Sequence, residues 1–214
     1  MNSVKAKENF PNSDINRRAL ILSAVASLTG WHRPANAAIK LEGVEIEEST
    51  VCSGHRLILN GAGVRKRGYF KANTVALYLP ERLSVPESIY RLDGPRRLQL
   101  HLLRGFTSST ISRIFIADFK QYATDAEFKQ LIDVVAGIGA LYSTIKNVST
   151  GDVVNVDWVP KEGIITSHNG KVLGEKPFTS ELAYQIYLRM FIGKNVPEDL
   201  RNALLGLKKQ NDDA

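Results

Sequence analysis

The run of residues 61–80, with the sequence GAGVRKRGYFKANTVALYLP, constrains the fold more than any other part of the chain. It begins with Gly61, Ala62 and Gly63, small residues that permit a positive φ angle or the close approach of another backbone segment. β-branched and aromatic residues then alternate with basic residues, as in a strand with one buried and one polar face. The run therefore predicts a glycine turn followed by a strand that ends at Pro80, because proline cannot donate a ladder hydrogen bond.

The rest of the domain shows strand and helix periods in turn. Alternating apolar residues predict strands at residues 39–46, 56–59, 97–102, 153–159, 164–167 and 171–173, the last two joined by an Asn-Gly turn. Helical spacing predicts helices at residues 111–122, 125–145 and 182–190, and a short last helix that Pro197 opens. Gly137 and Gly139 fall inside the second helix and indicate a kink or a close packing partner. We expect an α+β fold with an antiparallel β-sheet and helices packed on one face.

The first 37 residues have the organisation of an export signal. Arg17 and Arg18 precede an apolar segment at residues 19–30, and Ala-Asn-Ala follows at 35–37 as a signal-peptidase site. The apolar segment is shorter than the roughly 20 residues that span a bilayer. We expect cleavage before Ala38 and a periplasmic or secreted domain, exported by the Sec or the twin-arginine route. The alternative is the N-terminal helix of a cytosolic protein.

The net charge of +6 does not indicate nucleic-acid binding. Residues 1–37 contain five basic and two acidic residues, so half of the net charge lies in the leader. The other basic residues are interspersed with acidic residues along the domain at 38–214, which is typical of a solvated surface. Cys52 is the only cysteine, and we expect a buried, inert thiol. The sequence contains no metal-binding spacing, catalytic triad or phosphate loop, so no metal and no cofactor are expected.

Several segments together resemble the bacterial chalcone isomerase-like family. The resemblance extends over residues 39–207, rests on the order and spacing of the segments, and implies an antiparallel sheet, helices on one face and a cleft between them. It does not by itself imply turnover. The segments are GAGVR at 61–65, KANTVALYL at 71–79, GD at 151–152, HNGK at 168–171, FIG at 191–193 with Pro197, and LLG at 204–206.

The resemblance also implies a site. In plant members a phenolate adds to an enone double bond, and a preorganised arginine stabilises the negative charge that moves onto the enolate oxygen. Arg65 matches the family's functional arginine, which distinguishes it from its neighbours Lys66 and Arg67. Asn73 stands where plant enzymes have a threonine, and its amide still donates and accepts hydrogen bonds. Plant enzymes carry a catalytic tyrosine near the start of a helix, and residues 108–112 contain none.

These residues lead to three functional hypotheses. The first is an exported protein, with weak turnover or none, that binds a small amphipathic acid such as a fatty acid or a phenolic acid. Arg65 and Asn73 would hold the acid, and the helix faces at residues 111–119 and 182–190 would line its tail. The second is an isomerase, an intramolecular lyase acting on a chalcone-like enone, for which efficient chalcone cyclisation is not expected. The third is a structural or partner-binding periplasmic protein.

Overall fold

The computed structural model describes residues 38–208. The predicted leader and its cleavage site lie outside the described residues. Within the described part of the chain, no helix combines the length and the apolar character needed to cross a membrane.

Strands and helices follow the predicted order, with some additional strands. The strands are β1 (Ala38–Leu41), β2 (Val44–Glu47), β3 (Ser49–Cys52), β4 (His55–Arg67), β5 (Phe70–Leu79), β6 (Arg96–Leu102), β7 (Phe106–Thr107), β8 (Asn147–Val148), β9 (Val153–Val159), β10 (Gly163–His168) and β11 (Lys171–Val172). The helices are α1 (Pro86–Tyr90), α2 (Ser108–Tyr122), α3 (Asp125–Gln130), α4 (Ile132–Ser143), α5 (Glu181–Ile192) and α6 (Glu198–Leu204).

Seven strands form one antiparallel sheet in the order β11-β10-β9-β6-β5-β4-β3. Helices pack against one face of this sheet around a large apolar core, in which residues such as Leu77 of β5, Phe119 of α2 and Ile186 of α5 are fully buried. The predicted α+β architecture is therefore confirmed. β5 also ends directly before Pro80, as predicted.

The opposite face of the sheet carries a second apolar cluster, which the sequence did not predict. Residues 39–46 form a hairpin and not one strand, because Glu42 and Gly43 turn the chain with φ angles of 53° and 75°. Leu41 of this hairpin packs against the sheet, and the Tyr78 hydroxyl donates a hydrogen bond to the Glu47 carbonyl at 2.9 Å. Since Tyr78 and its neighbours on β5 alternate between the two clusters, both faces of β5 are buried.

The predicted glycine turn at residues 61–63 is wrong. β4 is continuous through these residues, and the chain turns at Gly68, whose φ angle is 59°. Gly61 serves close approach instead, because a Cβ atom there would lie 2.8 Å from the Leu204 carbonyl oxygen of α6. The Asn60 side chain donates a hydrogen bond to that same oxygen at 2.8 Å and holds the end of α6 against β4.

The predicted helix at residues 125–145 consists of two helices, which separate at Leu131. Thr124 and Glu127 form a capping box at the start of α3, and α4 begins after Leu131, whose ψ angle of 12° is not helical. Gly137 of α4 has the close packing partner that the sequence indicated as one of two alternatives. A Cβ atom on Gly137 would lie 2.7 Å from the Phe178 ring, so the ring occupies the space that a side chain would need.

Cys52 lies in the second apolar cluster and is fully buried, as the sequence predicted. Burial raises the pKa of its thiol to about 12, with the nearby Asp157 acting in the same direction. Only the thiolate reacts rapidly with disulfide reagents. We therefore expect no modification of the folded protein by such a reagent at pH 8, and one thiol per chain after unfolding in urea. Rapid labelling of the folded protein would contradict this burial.

Candidate functional site

A cavity of about 130 Å³ lies between the sheet and the helices. Side chains from β4, β5, β6 and β9 form its sheet wall, and side chains from α2, α4 and α5 form its helix wall. Most of the lining is apolar, so water inside it has few hydrogen-bond partners. The apolar lining residues are Ala72, Leu100, Leu102, Phe106, Ile111, Ile114, Phe115, Ile145, Val148, Val154, Val156, Met190 and Phe191.

Three charged side chains form the charged part of the lining. Arg65 Nη2 donates a hydrogen bond to Asp118 Oδ2 at 2.9 Å, and Arg67 Nη1 donates to Asp118 Oδ1 at 3.2 Å. A second contact joins Arg67 Nη2 to Asp118 Oδ2. The two arginines share one side of β4 because side chains alternate along a strand, and Lys66 between them is exposed. The structure thus brings Arg67 into the site beside Arg65.

This cluster has an excess of positive charge. Two guanidinium groups share one carboxylate, so the three side chains carry a net charge of +1. Burial lowers the pKa of Arg65, and the attraction of Asp118 opposes this effect while Arg67 adds to it. The Arg65 guanidinium also lies 4.6 Å from the centre of the Phe191 ring. This cation–π contact stabilises the positive charge where water has little access. An anion placed here would meet an incompletely neutralised, poorly hydrated cation.

The charged end of the cavity reaches solvent at Arg67. The Arg67 side chain is 28% exposed, compared with 12% for Arg65 and 10% for Asp118. The same three residues and Met190 line a second, more polar cavity of about 240 Å³. A ligand with a polar head can therefore reach the charged cluster from the polar side and extend its apolar part inward.

Asn73 also lines the cavity and is directly paired with Arg65 across β4 and β5. It is 6% exposed, and its Nδ2 donates a hydrogen bond to the Thr74 carbonyl at 3.1 Å. The two residues that the sequence indicated for ligand binding are thus neighbours in the structure and face the same space.

Two tyrosines from other elements supply hydroxyl groups to the cavity wall. Tyr142 of α4 and Tyr187 of α5 lie with their hydroxyl oxygens 2.9 Å apart. Phe115 stacks on the Tyr187 ring and meets the Tyr142 ring edge to face, which fixes both rings. Burial raises the pKa of each hydroxyl, so both stay neutral at physiological pH. The pair can act as a hydrogen-bond donor or acceptor but not as an anion.

Residues 38–206 match the family model described as chalcone isomerase-like. The chain belongs to the chalcone isomerase-like family. A solved structure with the same fold is that of the Arabidopsis thaliana fatty-acid binding protein AtFAP1, with a TM-score of 0.66 and 12% sequence identity. The match covers 79% of this chain and 96% of the Arabidopsis chain. No curated protein sequence matches the chain.

Within this chalcone isomerase-like domain, sequence patterns had indicated only part of the site. The helix faces expected at 111–119 and 182–190 do contribute lining residues. The sequence patterns did not indicate Asp118. This residue follows apolar residues of α2 by three and by four positions, a spacing that places its carboxylate on the buried face of the helix. Tyr142 was missed as well, although its spacing from Ile138 continues the buried face of α4.

The same site contains no obvious place for a metal. Across residues 38–208, no three His, Cys, Asp or Glu side chains are close enough to hold a metal ion. The chalcone isomerase-like domain thus offers a ligand two guanidinium groups, an amide, two hydroxyl groups and an apolar wall.

Proposed function

We propose that this protein binds a small amphipathic carboxylic acid, with its carboxylate at Arg65 and Arg67 and its apolar tail in the cavity. The observation that carries the proposal is the net charge of +1 on a partly buried cluster that lines an apolar cavity. A carboxylate neutralises this charge and accepts hydrogen bonds from the planar guanidinium groups, which suit it geometrically. Asn73 is placed to give a further polar contact.

Burial of the apolar tail supplies most of the affinity in this proposal, and the arginines supply orientation. Each buried methylene contributes about 0.8 kcal/mol, so a tail of several carbons outweighs one charged contact. A hydrogen bond to a charged group contributes about 1.5–3 kcal/mol. The ligand should therefore be amphipathic, because neither a small anion nor a hydrocarbon uses both parts of the site.

The size of the cavity favours a slender ligand. Its volume of 130 Å³ is below the roughly 300–1,000 Å³ of typical small-molecule sites, so the space suits a single acyl chain better than a ligand with two rigid rings. A flexible acyl chain adapts to a narrow space more easily, and Met190 in the wall is itself flexible. We favour a fatty acid over a phenolic acid and over a chalcone-like enone. The name of the Arabidopsis structure, a fatty-acid binding protein, agrees with this choice.

We also propose that the protein works outside the cytoplasm, since residues 1–37 have the sequence pattern of an export signal. An N-terminal sequence of the mature protein that starts at Ala38 would support this location. A mature protein that retains residues 1–37 would contradict it.

Replacing Arg65 with alanine tests the proposed ligand contact. We expect Arg65→Ala to weaken binding of decanoic acid at least about tenfold, because the site loses a charged hydrogen bond worth 1.5–3 kcal/mol. The net charge of the cluster also falls from +1 to zero. Isothermal titration calorimetry on the full chain measures the change.

Lys66→Ala is the matched control for this substitution. It removes a positive charge one residue away, but Lys66 is exposed and does not line the apolar cavity. We expect its affinity for decanoic acid to stay within about twofold of the wild type, since exposed charge contacts contribute little. Equal affinities of the wild type and Arg65→Ala would contradict the proposed function.

A further inference from the structure

The end of the β4–β5 hairpin exposes two aromatic rings among basic side chains. Beyond the turn at Gly68, Tyr69 is fully exposed and Phe70 is 40% exposed. Adjacent exposed aromatic rings with polar side chains around them are typical of an interaction surface. We call this surface the hairpin tip, and its residues are Lys66, Arg67, Tyr69, Phe70, Lys71 and Arg104.

The hairpin tip has an excess of positive charge. Four of its six residues are basic, and the whole run of residues 61–80 contains no acidic residue. Within the described residues, the carboxylate partners of its cations are Glu42, 2.6 Å from Lys71, and Asp118, which Arg67 shares with Arg65. The Arg104 guanidinium lies 4.9 Å from the centre of the Phe70 ring. Lys66 and Arg104 are exposed, and no carboxylate contact is seen for either within the described residues.

We infer that the hairpin tip docks on the surface of an anionic phospholipid bilayer. Tyrosine and phenylalanine rings enter the boundary between headgroups and acyl chains, and lysine and arginine side chains bind the phosphates above it. A convex turn with two adjacent rings fits this layered surface. Single-stranded nucleic acid instead requires a basic groove with rings spaced along it. The hairpin tip thus serves as a peripheral contact.

The hairpin tip is continuous with the charged end of the cavity. Arg67 belongs to both, and Tyr69 follows it by two residues in the turn, at most about 7 Å away along the chain. Docking would place the charged end of the cavity near the headgroups, where amphipathic acids partition. This inference goes beyond the proposed function and does not depend on it, because docking is measured without any fatty acid present.

Co-sedimentation of the full chain with vesicles tests the docking. We expect it to bind vesicles of phosphatidylcholine and phosphatidylglycerol (7:3) at least tenfold more strongly than vesicles of phosphatidylcholine alone. A basic residue near an anionic surface contributes about fivefold in partitioning. The double variant Lys66→Glu/Tyr69→Ser, which reverses one charge and removes one ring, should lose most of this preference. Both positions are exposed, and a thermal unfolding curve verifies that the fold is retained.

The matched control is the double variant Val51→Ser/Arg56→Glu. It makes the same kind of change at two exposed residues, which pair with each other at the opposite end of β4, ten residues or about 30 Å from Lys66. All the proteins share the apolar segment at 19–30, so binding through that segment is common to them. If the tip variant binds anionic vesicles as well as the control variant does, the inference is wrong.

A fluorescence measurement locates the contact independently of total binding. Tyr69→Trp places an indole at the hairpin tip, and the signal of Trp31 and Trp158 is subtracted with the wild type measured in parallel. We expect a blue shift of its emission on addition of the anionic vesicles and quenching by brominated lipid. If the indole emission stays at the wavelength of exposed tryptophan while the protein is bound to vesicles, the inference is wrong.

Discussion

Substituting Gly61 with alanine should destabilise the protein by about 3 kcal/mol, the upper end of the usual cost of overpacking. The added Cβ atom would contact the carbonyl oxygen of Ala203 and lie 2.8 Å from that of Leu204. Both are backbone atoms, which cannot rotate away as a side chain can. The end of α6 must therefore move off β4, which also strains the hydrogen bond from Asn60 to Leu204. Urea unfolding followed by circular dichroism measures the loss.

Gly139→Ala is the comparison for this prediction. A Cβ atom there would lie 3.1 Å from Ile116 Cδ1 and 3.2 Å from Ser112 Oγ, both of which end side chains. Ile116 is 37% exposed and has room to move. Alanine in a helix is favoured over glycine by about 1 kcal/mol, so we expect unchanged or slightly higher stability. Equal losses for the two substitutions would show that close backbone packing does not explain Gly61.

Replacing Asp118 with asparagine should change stability and ligand affinity in opposite directions. The substitution leaves two partly buried guanidinium groups without a neutralising carboxylate, and breaking such an ion pair costs about 3 kcal/mol of folding free energy. The net charge of the cluster rises from +1 to +2, and Arg65 loses its internal partner. We expect decanoic acid to bind about tenfold more tightly, as measured by calorimetry under conditions where the variant is folded.

Asp157→Asn separates the effect on stability from the effect on ligand affinity. Asp157 accepts two hydrogen bonds of 2.7 Å from Arg97, and the side-chain exposures of this pair, 11% and 12%, match those of Asp118 and Arg65. Neither Asp157 nor Arg97 lines the cavity. We expect a similar loss of stability and no change in affinity for decanoic acid. A fall in affinity in Asp118→Asn, in parallel with its stability, would mean that the cluster only supports the fold.

Local patterns in the sequence predicted those elements whose structure depends on neighbouring residues. Alternating residues predicted β6 and β9, and apolar helix faces predicted α2 and α5. Both predictions succeed because the buried residues of a strand or helix recur at a fixed period. The continuity of β4 could not be predicted in this way. It depends on α6, which is distant in sequence and packs against Gly61. The hairpin at residues 38–47 turns at Glu42, a residue type that does not usually mark a turn with positive φ.

Part of the site was likewise predictable from the sequence, and part of it was not. Arg65 and Asn73 were indicated by resemblance to the family, and the structure places both beside the cavity. The pairing of Arg65 with Asp118 joins β4 to α2, over 53 residues of sequence, and no local pattern specifies it. Arg67 could have been inferred, since residues two apart on a strand face the same side. The resemblance singled out one basic residue, whereas the structure shows a cluster in which Arg65 and Arg67 share Asp118.

The most direct test of the central claim compares decanoic acid with decanol on the wild type and on Arg65→Ala. The two ligands have the same tail and differ in the charge of the head group, so the difference in affinity measures the contribution of the charged cluster. We predict that the wild type binds the acid at least tenfold more tightly than the alcohol and that this preference largely disappears in Arg65→Ala. Equal binding of acid and alcohol by the wild type would contradict the account.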